Sequence, residues 1–195
     1  MRNEILLCGP MAAGKTTLAK KLSKLLKINH LNIDMLKDEY FKKLGYKLKD
    51  ANKALKDDGV RGFYNYCKQY ELTTLKNYFK NKNCVFDIGA GFIVYEDLNH
   101  KKEIFNLLSN FRNKFLILPH EDSKISYDIL QDRFLKRYKY DPELEKIMCS
   151  TPEYDLNLNF LDFFYKYKDI FTTIYTYQRS INNLAKEIVL LSVKR

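Results

Sequence analysis

A chain of 195 residues, 46% of them hydrophobic, is long enough to bury one sizeable core and short for two. The formal charge of +10 would suit a polyanion, but lysines alternate with acids in "KLKDANKALKDDG" (47 to 59) and "NHKKEIFNLLSNFRNK" (99 to 114). That pattern favours a solvated basic surface and leaves nucleic acid a possible, unfavoured partner.

Four scattered cysteines (Cys8, Cys67, Cys84 and Cys149) and three scattered histidines (His30, His100 and His120) exclude a local zinc site and a local histidine-led triad. Unpaired thiols of this kind suit a reducing, cytoplasmic setting. Seven Gly and four Pro are spread without forming a linker, so a single domain over 1–195 is expected.

The first strand candidate is "EILLCG" (4 to 9), too short for a signal or membrane segment. Residues 9 to 16, "GPMAAGKT", follow it and fit G-x-x-x-x-G-K-[ST]. Gly9 and Gly14 let the backbone wrap so that N–H groups, those of Ala12 and Ala13 included, point inward. The helix opening at Lys15 adds its partial positive end. Phosphate oxygens are the natural occupant, with Lys15 bridging the β- and γ-phosphates of ATP, Thr16 offering a hydroxyl to Mg²⁺, and Thr17 adding a contact. Leu18, Leu22, Leu25 and Leu26 then recur at helical spacing opposite a lysine face.

Further strands are expected at "HLNID" (30 to 34), "CVFDIG" (84 to 89), "FLILP" (115 to 119) and "IFTTIYT" (170 to 176). Helical periodicity predicts helices over 35 to 44, 62 to 81, 96 to 111, 123 to 138, 155 to 168 and 180 to 193. Such alternation makes an α/β fold of the P-loop NTPase type: a five-stranded, mostly parallel sheet with helices on both faces. Asp34 then sits at a strand's C-terminal end beside the phosphate loop, where its carboxylate can orient or deprotonate a hydroxyl; a helix N-cap is its plainer role. Asp87, closing "CVFD", is placed like a Walker-B acid for Mg²⁺.

"NID" (32 to 34), "CKQYE" (67 to 71) and "GAG" (89 to 91), in that order behind the phosphate loop, resemble the shikimate kinase group of P-loop small-molecule kinases. The steps of 19 residues from Lys15 to Asp34 and of 18 from Glu71 to Gly89 agree with that family's layout. The resemblance implies transfer of the γ-phosphate of ATP to a hydroxyl of a small-molecule acceptor, with Mg²⁺. It implies acceptor contacts at Asp34, Lys68, Gly89, Ala90 and Gly91. Asn32 stands where the family has a first Asp near the metal, so Asn32, Thr16 and Asp87 are the metal candidates. A lid at about 130–150 would bring Arg133 or Arg137 over the phosphates.

Two departures bear on the acceptor. Lys68 replaces the Arg that grips the shikimate carboxylate, and a point charge cannot reproduce the two-pronged geometry. No Arg occurs in 159 to 171 to match the family's C-terminal anchor. The segment between Asp34 and Lys68 is also roughly a dozen residues longer than in the family, which reshapes the pocket. The expected acceptor is therefore a small molecule other than shikimate. A nucleoside, nucleotide or nucleic-acid end is the alternative acceptor, and a regulatory ATP-binding protein with weak hydrolysis the alternative class. Tyr175, Tyr177, Gln178 and Arg179 fall near the family's adenine position, and the run "FLDFFYKYKDIF" reads as core.

Overall fold

The structure, a computed structural model, describes residues 2–138 and 156–193. Cys149 and the part of the expected lid beyond residue 138 lie outside the described residues.

The first strand, β1 (Arg2–Cys8), carries Ile5, Leu6, Leu7 and Cys8 in an unbroken buried run, the pattern of a strand covered on both faces. It lies at the centre of a five-stranded sheet of order β2-β3-β1-β4-β5. The other strands are β2 (Asn29–Asn32), β3 (Cys84–Asp87), β4 (Phe111–Leu118) and β5 (Thr172–Tyr175), and every pairing is parallel. All five C-terminal ends therefore open at one edge, where open α/β sheets hold their ligands.

Chain direction fixes the layers. From β1 the chain crosses through α1 (Lys15–Leu26) to β2 on one side, and from β3 through α4 (Leu98–Ser109) to β4 on the other. Right-handed crossovers in opposite directions put α1 and α4 on opposite faces. The C-terminal helix α7 (Ile181–Val193) packs on α1, whereas α4 meets α3 (Leu48–Tyr78), which follows α2 (Ile33–Lys43). Helices α5 (Ser123–Tyr138) and α6 (Leu156–Lys166) join β4 to β5 and pack on each other.

Three elements differ from the expected ones for identifiable reasons. Helix α3 begins at Leu48, inside the lysine-rich stretch, because Ala51 buries a small apolar face that the surrounding charges mask in the sequence. Its ladder breaks only at Asp58 and Gly59, where φ is −139° and 55°. Strand β4 starts four residues early, since Phe111 is buried against Phe79 and Phe86, with ring centroids 4.7 and 5.6 Å away. Leu25 is exposed, and the face of α1 turned to the core carries Leu18 and Leu22 instead.

Gly9 is where the fold tolerates no side chain. Its φ is 144°, and a Cβ there would strike the carbonyl oxygen of Ile117 in the neighbouring strand. Because β4 is hydrogen-bonded on both sides, that carbonyl cannot retreat. Gly9→Ala is expected to lower stability by about 1–3 kcal/mol or more, read as a shifted midpoint in urea unfolding.

Candidate active site

The loop from Gly9 to Gly14 leaves the end of β1 and enters α1 through Gly14, with φ 96° and no side-chain cap. With Ala12 also at positive φ (60°), the backbone alternates hand and forms a concave nest of N–H groups at the uncapped helix start. Lys15, only 9% exposed, folds back across this nest, its Nζ donating to the carbonyls of Gly9 (3.0 Å) and Pro10 (2.9 Å). Its ammonium is thereby parked at the mouth of an anion-shaped cradle. Thr16 is half-buried and Thr17 exposed at the same helix end, and Ala13 is packed beneath.

Two side chains from far along the chain hold the loop. Asn157, buried in α6, accepts from the Met11 N–H at 3.0 Å. Arg133 of α5 reaches the loop, its Nη1 donating to the Ala12 carbonyl at 3.3 Å. Partial burial pushes the Arg133 guanidinium below its ordinary range, against the opposing pull of Asp132, yet a guanidinium keeps its charge at neutral pH. Arg137 lies in the last turn of the same helix, and its side chain falls outside the described residues.

The expected metal residues are brought together. The parallel register sets Asn32 directly beside Asp87 at the ends of β2 and β3. Asn32 Nδ2 donates to Asp87 Oδ2 at 2.9 Å and to Thr16 Oγ1 at 3.5 Å. Its other amide atom is already used: Oδ1 accepts the Met35 N–H at 3.0 Å and caps α2. One lone pair of Asn32 Oδ1 is thus committed to the helix start, and the helix cap expected of Asp34 belongs to Asn32. The short β2 follows from the same cap, which turns the chain into α2 before Asp34 is reached.

Asp87 is 3% exposed, and His30 Nε2 lies 3.4 Å from its Oδ2. A buried carboxylate beside a threonine hydroxyl suits Mg²⁺, which keeps several waters and takes its other ligands from phosphates. No group of three or more His, Cys, Asp or Glu side chains that could hold a metal occurs among the described residues.

Asp34 occupies the first turn of α2 rather than the strand end, and its exposed carboxylate rests against Gly89. A Cβ on Gly89 would overlap both carboxylate oxygens, so the close approach requires glycine. Gly89, Ala90 and Gly91 form the expected turn, a short 3₁₀ segment beginning at Ala90. Lys37 is 3.8 Å from Asp34 Oδ1, a solvent-screened pair of small energetic weight.

Lys68 is enclosed rather than presented. Its Nζ lies 2.7 Å from Glu71 Oε2, donates to the Gly91 carbonyl, and sits 4.4 and 4.2 Å from the ring centroids of Tyr64 and Tyr95. Burial pushes this ammonium below the ordinary lysine range, and Glu71 opposes the shift. The neighbouring Cys67 thiol is pushed up to about 12 by burial, and Cys8 is raised as well, so neither is a thiolate at neutral pH. Arg179 is taken by Glu187 and the Tyr175 carbonyl, while Tyr177 is exposed.

Sequence patterns missed Asn157, whose partner is 146 residues away, and the tyrosines around Lys68. His30 was within reach: alternation along a strand puts it on the same side as Asn32.

A phosphate loop after the central strand of an all-parallel sheet, with carboxylates at the same edge, defines a P-loop kinase fold. Residues 11–122 match the family described as shikimate kinase, and the chain belongs to that family. A shikimate kinase of Clostridium botulinum (strain Langeland) is 26% identical over 163 residues, spanning 75% of this chain and 87% of the relative. Among solved structures, the chain is similar to shikimate kinase from Acinetobacter baumannii in complex with shikimate, at a TM-score of 0.61 and 22% identity, covering 100% of this chain and 94% of that one. It is also similar to deoxyadenosine kinase from M. mycoides, with TM-score 0.56, 17% identity and coverage of 98% and 100%.

No helix among the described residues is long and apolar enough to cross a membrane.

Proposed function

We propose that this protein transfers the γ-phosphoryl group of ATP, with Mg²⁺, to a hydroxyl of a small molecule other than shikimate. The observation that carries this reading is the Asp34 carboxylate lying against the Gly89 turn at the same sheet edge as Lys15 and Thr16. Lys15, Thr16, Thr17 and the amides from Gly9 to Gly14, those of Ala12 and Ala13 among them, hold the triphosphate. Thr16 and Asp87 hold Mg²⁺ with its waters, and Asn32 fixes the Asp87 carboxylate. Asp34 orients the acceptor hydroxyl or takes its proton. Arg133, already on the loop, neutralises charge at the transferring group, with Arg137 one helical turn behind.

The reading against shikimate rests on Lys68. Of the three ammonium donors, one serves Glu71 and one the Gly91 carbonyl, so little is left for a carboxylate. A charge-assisted hydrogen bond contributes about 1.5–3 kcal/mol, so two altered anchors predict a shikimate kcat/KM at least about 10²-fold below ordinary enzyme values. The test is ADP release across a panel of hydroxylated metabolites with shikimate included. One or more acceptors should turn over well while shikimate does not, and efficient shikimate turnover with KM in the ordinary micromolar-to-millimolar range overturns the assignment.

A further inference from the structure

A cavity of about 450 Å³ opens beside the Gly89–Gly91 turn, between α3, the loop into α4, and α6. Its walls include the rings of Tyr64, Tyr95 and Phe160, with the His100 ring stacked on Tyr95 at 17° and 5.7 Å. Ring surface of this kind suits a planar guest where Lys68 and His100 do not already cover it.

The charge of the lining selects against anions. Lys68 is the one lysine or arginine among the described lining residues, and its ammonium is satisfied by Glu71, Gly91 and two ring faces. Glu96 and Asp97 stand exposed at the rim. On a chain with a formal charge of +10, this is a locally acidic mouth, unfavourable to a carboxylate or phosphate.

Two polar features ask for a partner. The Tyr95 hydroxyl is buried without a hydrogen-bond partner among the described residues, on a residue only 5% exposed, so a guest reaches it only by displacing the side chains that shield it. The amides of Asn65, Gln69 and Asn159 line the opening and can each donate and accept, the pairing that reads the edge of a base.

The cavity also lies within reach of the acceptor carboxylate. Gly91 packs against two of its wall residues, since a Cβ there would lie 2.9 Å from the Tyr64 ring and 3.8 Å from Phe160, while Gly89 abuts Asp34. Two Cα–Cα steps span at most about 7.6 Å, the dimension of a sugar.

From these observations we propose that the cavity takes the base of a nucleoside whose sugar hydroxyl lies over the Gly89–Gly91 turn at Asp34. The inference rests on the phosphoryl-transfer reading above and names its acceptor class. In the transfer, the sugar oxygen bonds to the γ-phosphorus as the bond to the bridging β-phosphate oxygen breaks. ADP departs, and the hydroxyl proton passes to Asp34. A nucleoside satisfies the cavity where a nucleotide does not, because the acidic rim repels the added phosphate.

Calorimetric titration of the full chain with the common ribo- and deoxyribonucleosides and with shikimate, first without ATP, separates pocket from chemistry. At least one nucleoside should bind, and more tightly than shikimate. Tyr95→Phe should weaken that binding about fivefold or more while leaving thermal stability equal or higher, because it deletes an unpartnered hydroxyl. Gln69→Leu, at an exposed position, should weaken it about 5- to 100-fold and alter the preference among bases. Absence of nucleoside binding, tighter binding of shikimate, or unchanged affinity in both variants overturns the proposal. Addition of Mg·ATP then tests the chemistry alone. A nucleoside that binds with this variant pattern but yields neither ADP nor nucleoside monophosphate supports the pocket and overturns the phosphoryl-transfer reading.

Discussion

Lys15→Ala should abolish most of the stabilisation that Mg·ATP confers on the fold. A ligand that binds only the folded state adds about 2.7 kcal/mol at a hundredfold excess over its Kd, a shift readily seen in thermal unfolding. The Lys15 ammonium lies across the loop carbonyls, where an arriving triphosphate would draw it onto the β- and γ-phosphate oxygens. Removing it leaves the amide nest but deletes the ammonium that, on the proposed reading, contacts the β- and γ-phosphates. The same substitution removes two hydrogen bonds from the free protein, each contributing about 0.5–1.5 kcal/mol, so the ATP-free melting temperature must be measured for each form. The expected result is a modest fall without nucleotide and a nearly absent shift with it. A full ATP-dependent shift in the variant, or none in the wild-type protein, contradicts the assignment of this loop.

Asp34→Asn should separate binding from transfer. The substitution keeps the size of the side chain and one acceptor oxygen, and removes its charge and nearly all its basicity. Asp34 rests on Gly89, on the side assigned above to the acceptor, and its ion-pair neighbour is Lys37 of its own helix rather than a residue of the phosphate loop. A positioned general base contributes about 10²–10⁴ in rate, so kcat with the identified acceptor should fall by that factor while ATP affinity stays within about twofold. Asp87→Asn is the informative control. Buried beside His30 and Asn32, Asp87 should affect Mg²⁺ half-saturation first and the acceptor little. Full turnover in Asp34→Asn, or loss of ATP binding, removes Asp34 from the acceptor side.

Much of this arrangement was legible in the sequence because it is local. The phosphate loop is a contiguous stretch whose glycines, lysine and threonine have fixed offsets, and its strand and helix flank it directly. Asp87 and the Gly89 turn were legible because a parallel sheet delivers every strand end to one edge, whereas Asp34 lies in the first turn of α2 and not at the strand end expected of it. What escaped was non-local or chemically ambiguous. The hydrogen bond of Asn157 depends on how α6 docks, and no periodicity encodes that. The burial of Lys68 depends on tyrosines from α3 and from the loop before α4 closing over one ammonium. Lysine is the residue that sequence reasoning most readily assigns to solvent, and this one is held inside by Glu71.

The central position of β1 sets a timetable for biosynthesis. The strand made first acquires its two lateral neighbours only when β3 and β4 have been made, and Met11 acquires its Asn157 partner 146 residues later. At about 5–20 residues per second, the loop emerges roughly 7–30 s before the side chain that anchors it. Nucleotide capture is thereby expected only once α6 has been made, and a ribosome-bound fragment ending before α6 should be a poor competitor for cellular ATP.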